Sequence, residues 1–246
     1  MDTTNLKTRM NTKVQALSER EPDTSQYLAL TGNALELIRE NLKHQPLSFQ
    51  LFDMVKSPSG GSTVFSVPGL SGEEPEKELT GIILDYTTPR AYWATSDPVE
   101  GMPPTCLSKD SLISEDGKAC AHCPFNDFGS KDGDSPAKAC KESVLLFLLR
   151  PGSVFPLLVR VPVTSKKIFL KYTTRLISRM TPLSSVVTRI TLEKATSREG
   201  KPYALFHFDA VQTLDQGTAA KAREFGRQFM ECVNTADVEP VFTQAS

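Results

Sequence analysis

The sequence predicts a mainly β, α+β fold: an OB-like Greek-key barrel with a zinc-knuckle insertion and flanking helices. Three observations carry that expectation. Short segments that alternate apolar and polar residues recur between Leu79 and Val211, punctuated by Gly and Pro. One helical segment interrupts them before Pro182. Four of the five cysteines lie within 35 residues of one another, between two strand pairs.

Taken in order, residues 1–30 are polar and lack a sustained period, which predicts a mobile arm. Residues 31–78 follow as a helix, a strand and an acidic linker. Leu35, Ile38 and Leu42 repeat at helical spacing up to Pro46, with Asn33 placed to cap. Thr63 to Val67 alternates as a strand, and Glu73, Glu74, Glu76 and Glu78 mark the linker. The barrel spans residues 79–213 and carries the insert at 103–142. Gly81 to Tyr86 and Arg90 to Ala94 read as a hairpin turning at Thr87-Thr-Pro-Arg90. Val144 to Leu149 and Phe155 to Val161 read as a second pair, apolar enough to be buried on both faces. Thr164 or Ser165 can cap the intervening helix, supported by Ile168, Leu170, Leu176 and Ile177. Ser185 to Ala195 alternates strictly and pairs with Pro202 to Val211 across Ser197-Arg-Glu-Gly-Lys201. Residues 214–246 form a last helix, with Thr218 as a cap and Ala222, Phe225 and Phe229 on one face, then a fraying tail from Thr235.

The 246 residues are 39% hydrophobic and 23% charged, the balance of a soluble globular protein. No run approaches the roughly 18 apolar residues of a membrane span, and the N-terminal MDTTNLKTRMNTK has no apolar signal core. The expected compartment is therefore the reducing cytoplasm, where clustered cysteines point to metal rather than to disulfides.

The spacing is Cys106-x13-Cys120-x2-Cys123-x16-Cys140. Two thiolates separated by two residues can face one ion, and two more close a tetrahedron that leaves no position for a catalytic water. The expected cofactor is a structural zinc ion. The spacing fits neither common ferredoxin run. The His-x-Glu and Pro-Cys-x-x-Cys elements of a zinc deaminase are missing. His122, between the paired cysteines, could replace one ligand, but a surface position is the expectation.

Charge is unevenly laid out. From Arg150 to Lys201 there are eleven Lys or Arg and two acids, so this window carries +9 and the rest of the chain -10. Within it Lys167, Lys171, Arg175 and Arg179 recur every four residues, with Lys166 and Tyr172 beside them, and on a helix they form one cationic stripe. Such a stripe suits a polyanion. The plainer account is a solvated face answered by the acidic N-terminal half. Single-strand binders add aromatic faces for base stacking, and Tyr92, Tyr203 and His207, near Arg189, are the candidates for an outer sheet face. A core role is open for each of them.

Certain residues resemble a protein family of phages and integrative mobile elements over about Phe52 to Val211. They are Phe52-Asp-x-Val-Lys with Ser57-Pro-Ser-Gly-Gly61, Ala91-Tyr-Trp93, Cys120-Ala-x-Cys-Pro-x-Asn-x-Phe-Gly-Ser130, Lys138-Ala-Cys-Lys141 and Val161-Pro-x-Thr-Ser-Lys166. The resemblance implies a DNA-metabolism protein with a four-cysteine insert, similar to OB-fold single-stranded DNA-binding proteins. In the family the insert is more basic before its last cysteine, whereas Asp132-Gly-Asp134-Ser-Pro136 is acidic here. That difference speaks against the loop as a DNA contact.

The expected function is non-catalytic binding of single-stranded DNA, with RNA as the other strand type, in replication, recombination or repair. Replication or recombination proteins would be the further partners, and oligomeric state is left open. The alternative is a protein-interaction module that recruits or inhibits host or element machinery. Catalysis is not expected, because His44, His122 and His207 are scattered and neither a phosphate-binding glycine loop nor a nucleophile motif occurs.

Overall fold

The computed structural model describes residues 26–30, 32–43, 45, 47–95, 99, 102–131, 136–197, 200–233 and 242. The expected arm up to residue 25, the tail from Thr235 apart from Phe242, and the Asp132-Gly-Asp134 loop lie outside the described residues. The elements are α1 (Ala34–Leu42), β1 (Met54–Val55), β2 (Phe65–Gly69), β3 (Gly72–Glu76), β4 (Glu78–Thr87), β5 (Arg90–Tyr92) and β6 (Cys106–Ser108), followed by β7 (Lys141–Leu149), β8 (Leu157–Pro162), α2 (Val163–Ile177), β9 (Val186–Thr196), β10 (Pro202–Thr213) and α3 (Gln216–Cys232). The chain is mainly β, built on a curled open sheet that forms a half-barrel. None of the described helices is long and apolar enough to cross a membrane.

The sheet runs β1-β8-β7-β4-β9-β10, with β5 joined to β7 and β6. Its pairs are antiparallel except β1 with β8. β4 makes the curl. Its first half pairs with β9 and its second half with β7, with a register shift between Ile83 and Asp85. At the change of partner sits Gly81, where an added Cβ would lie 2.4 Å from the Leu149 carbonyl oxygen, so backbone approaches backbone as at a barrel corner. α2 packs on both β8 and β10, from opposite ends of the strand order, which means that the sheet wraps around it.

Two cores result, one on each face. Inside the curl, Phe169, Tyr172 and Leu176 of α2 meet Ile83, Leu146, Ile190, Phe206 and Phe208. Outside it, α1, α3 and residues 27–52 cover Ile82, Leu145, Phe147 and Leu158 with an aromatic group that includes Phe49, Phe52 and Phe229. β7 is therefore buried on both faces from Ser143 onward, as its unbroken apolar run predicts. Each fully buried Phe or Leu contributes about 1.5–3 kcal/mol.

Several expectations are corrected. Tyr27, Ala29 and Leu30 are buried, so the arm ends before residue 27. The acidic linker is strand β3, paired with β2 by the Phe65↔Glu76 register, because exposed carboxylates are tolerated on a two-stranded ribbon. The Gly81–Tyr86 and Arg90–Ala94 segments do not form a hairpin. β4 pairs with β7 and β9 instead, while β5 pairs with β6 and β7. Neither Thr164 nor Ser165 caps α2. Pro162 precedes the helix, and buried Ser165 accepts the Phe206 amide at 3.0 Å, tying α2 to β10. Leu170 and Ile177 are exposed, the buried stripe being Phe169, Tyr172 and Leu176. Asn33 donates to the Glu36 carboxylate instead of capping α1. Asp215, and not Thr218, caps α3 by accepting the Thr218 amide at 3.0 Å.

Candidate nucleic-acid interface and cysteine cluster

α2 carries its charge on the face opposite its buried stripe. Lys167, Lys171, Arg175 and Arg179 are all exposed, and none of them makes an ion pair among the described residues. The spacing of four puts Lys167, Lys171 and Arg175 on one face of α2, where like charges do not neutralise one another; Arg179, expected on the same helix, lies instead in the turn after α2 ends at Ile177. Lys166 leaves this set. Its ammonium group binds the Glu142 carboxylate, which also meets Arg90 Nη2 at 3.2 Å. Tyr172 leaves it too, since the ring is buried against Phe208 and its hydroxyl pairs with Thr188 Oγ1 at 2.7 Å.

Where α2 crosses the β9–β10 ribbon there is a groove of about 380 Å³, bordered by Lys171 and Arg175 on one side and by Glu193, His207 and Asp209 on the other. Strand alternation holds: Phe206 and Phe208 face the core, while Tyr203 and His207 are half-buried on the outer face, in register with Ala195 and Thr191. Arg189 lies on this face opposite Asp209, 3.8 Å from its carboxylate. His207 Nε2 lies 2.9 Å from Glu193 Oε2 without a hydrogen bond between them. Tyr92 stands apart from this group. It lies on β5 and stacks on Phe125 with ring centres 3.9 Å apart and planes 14° from parallel, filling the wall of the insert.

The insert gathers the four cysteines. β5 and β6 place Cys106 opposite Tyr92. Tight turns at Cys120–His122 and Pro124–Asn126 carry Cys120 and Cys123, joined by the Cys123 amide to the Cys120 carbonyl at 3.4 Å. Cys140, at the mouth of β7, is held by its amide donating to the Phe125 carbonyl at 2.8 Å. All four thiols are free and line one small cavity of about 40 Å³, together with Arg90. His122 is exposed, as expected. Among the described residues no set of three or more His, Cys, Asp or Glu side chains is closed tightly enough to hold an ion. The thiols thus share a wall without meeting at a point. Burial pushes the Cys140 thiol up to about 11, with Arg90 acting in the opposite direction, and burial also raises Cys106.

Arg90 bears on whether these thiols could hold zinc. Arg90 is only 8% exposed; its Nε donates to Ser111 Oγ at 2.8 Å, yet its Nη1 is buried without a partner. An orphaned guanidinium N–H beside four thiols is what a tetrathiolate centre of net negative charge would engage. Neither Arg90 nor the basic residues that flank the insert belong to the sequence-derived site. The sole signal for Arg90 is its place beside the Ala91-Tyr-Trp93 strand.

No family model, curated protein or solved structure matches the chain.

Proposed function

We propose that this protein binds single-stranded DNA without catalysis, as a component of a phage or mobile element acting in replication, recombination or repair. The observation that carries the reading is the row of Lys167, Lys171 and Arg175 on one face of α2, followed by Arg179 in the turn beyond it: four exposed cations without ion pairs among the described residues. Phosphates are the partner that such a stripe suits. The half-barrel supports an OB-like reading. Three antiparallel strands in meander (β4, β7, β8) lead into a helix and then a two-stranded ribbon, with β4 paired to both groups, which is the order of a partly open Greek-key barrel. His207, which lines the groove with Lys171 and Arg175, supplies a flat surface beside the stripe, and Tyr203 lies on the same strand face four residues away.

In this reading Cys106, Cys120, Cys123 and Cys140 hold one structural zinc ion, and Arg90 offsets its charge. Bound zinc fixes the fold of an insert too polar to order itself by packing. The ion supplies no chemistry beyond that.

The test is a polarisation titration of labelled single-stranded and duplex oligonucleotides over a range of salt. Affinity for a single strand falls with a log–log slope of about 0.7 per phosphate neutralised, so four contacts weaken binding about 50-fold between 50 and 200 mM salt. Reversal of Lys167, Lys171, Arg175 and Arg179 to glutamate abolishes binding. No wild-type binding at low salt overturns the proposal and favours a protein-interaction module that needs no nucleic acid.

A further inference from the structure

A larger groove lies under the cysteine insert, and its charge is of a different kind. It encloses about 700 Å³ and is lined by Lys56, Lys131, Lys138, Lys141, Arg160 and Phe128, among others. The only carboxylate among its described lining residues is Glu142, which Arg90 and Lys166 already engage. Asp132 and Asp134, which follow Lys131 in the chain, lie outside the described residues. The cations come from four separate stretches of chain: the loop after β1, the insert, the start of β7 and the end of β8. They are crowded. Burial lowers the pKa of Arg160, whose Nε donates to Ser143 Oγ at 3.2 Å.

Like charges held together in a concave, partly desolvated place are costly unless an anion answers them. Two further features suit a strand rather than a lone ion. Phe128 is 82% exposed, with Lys138 Nζ over one face of its ring, 4.7 Å from the centre, so the cation and the aromatic side chain are paired at the groove. Val163 at the groove opens α2, whose first turn has neither an acidic residue nor a side-chain cap, so amides and helix dipole add a positive end.

We infer that this groove is a second binding segment for a single-stranded polynucleotide, in which Lys131, Lys138, Lys141 and Arg160 receive the phosphodiester backbone and Phe128 stacks a base. The inference rests on the single-strand reading above and adds to it a site that the stripe does not include. Because α2 begins at the groove and bears the stripe along its length of about 22 Å, one strand can pass from the first to the second.

The test uses the full zinc-loaded chain and labelled oligo(dT), oligo(U) and duplex DNA of equal length. Lys131→Glu with Lys141→Glu alters two exposed side chains, and an unchanged melting temperature verifies the fold. This double variant is expected to weaken oligo(dT) binding at least tenfold and to reduce the salt slope by about 1.4. Phe128→Ala is expected to weaken it about fivefold or more with no change in slope. Photocrosslinking of iododeoxyuridine-substituted oligo(dT) should label the peptide containing Phe128. A matching loss of oligo(U) binding in the same variants assigns the groove to RNA as well, and duplex binding equal to single-strand binding overturns the stacking role. If the wild type binds oligo(dT), both groove variants match it within twofold and crosslinks map only to α2 or β10, the groove inference fails while the single-strand reading stands. If the wild type binds no oligonucleotide, the reading itself fails.

Discussion

The two basic surfaces meet at the start of α2 and differ in how their charge is arranged. Along the helix, Lys171 and Arg175 overlook a groove whose far wall holds Glu193 and Asp209, so two cations face two carboxylates. Beneath the insert, Lys131, Lys138, Lys141 and Arg160 share a concavity in which the one carboxylate among the described lining residues is already engaged. The stripe comes from one segment and is exposed, so water and salt screen it. The groove is assembled from distant segments and partly withdrawn from water, where the same charges act more strongly. A run of basic residues in sequence is therefore a poorer guide to the strongest field than the company those residues keep.

The comparison is sharpened most by reversing the same number of charges on each surface. Lys131→Glu with Lys141→Glu should cost more single-strand affinity than Lys171→Glu with Arg175→Glu, by a ratio on the order of threefold or more, since the latter two already have carboxylates beside them. Equal losses in matched titrations would erase the distinction. Next in size is metal. Cys123→Ser, or dialysis against a chelator, should loosen the insert and lower affinity about as far as the groove double variant does, while the thermal transition of the half-barrel persists. Zinc content near one equivalent in the wild type, against well below half in the variant, checks the premise. A smaller gain is expected from Glu193→Gln with Asp209→Asn. Removing the carboxylates across from the stripe should raise affinity by about two- to fivefold at low salt, and the gain should vanish at high salt. Smallest in binding is Tyr172→Phe. It strands the buried Thr188 hydroxyl, costs about 1–2 kcal/mol of stability and leaves oligonucleotide affinity unchanged. A binding defect in that variant would return Tyr172 to the interface.

Much of the scaffold is legible in the chain. The unbroken apolar run of Val144 to Leu149 and the strict alternation of Ser185 to Ala195 locate β7 and β9, because burial on two faces and on one face leave different patterns. The cationic face of α2 follows from spacing alone. The hairpin assigned to Gly81–Ala94 fails because sequence proximity favours local pairing, whereas β4 finds its partners in β7 and β9. The acidic linker hides β3 because its strand face stays exposed and leaves no apolar alternation to read. Lys166 and Tyr172 fail as stripe members for one reason: periodicity places residues on a helix but not the neighbours that claim them. Glu142 takes the first and Thr188 the second.

The sequence by itself determined that four thiols of set spacing belong to one insert, that strands flank them, and that one helix presents a row of cations. These are local properties, fixed by bond geometry and by the periods of helix and strand. Only the tertiary structure decided that the four thiols share one cavity wall with the orphaned guanidinium of Arg90. It likewise decided that Lys56, Lys131, Lys138, Lys141 and Arg160 converge around Phe128. Convergence of that kind depends on strand pairing between residues far apart in the chain, and no local period encodes it.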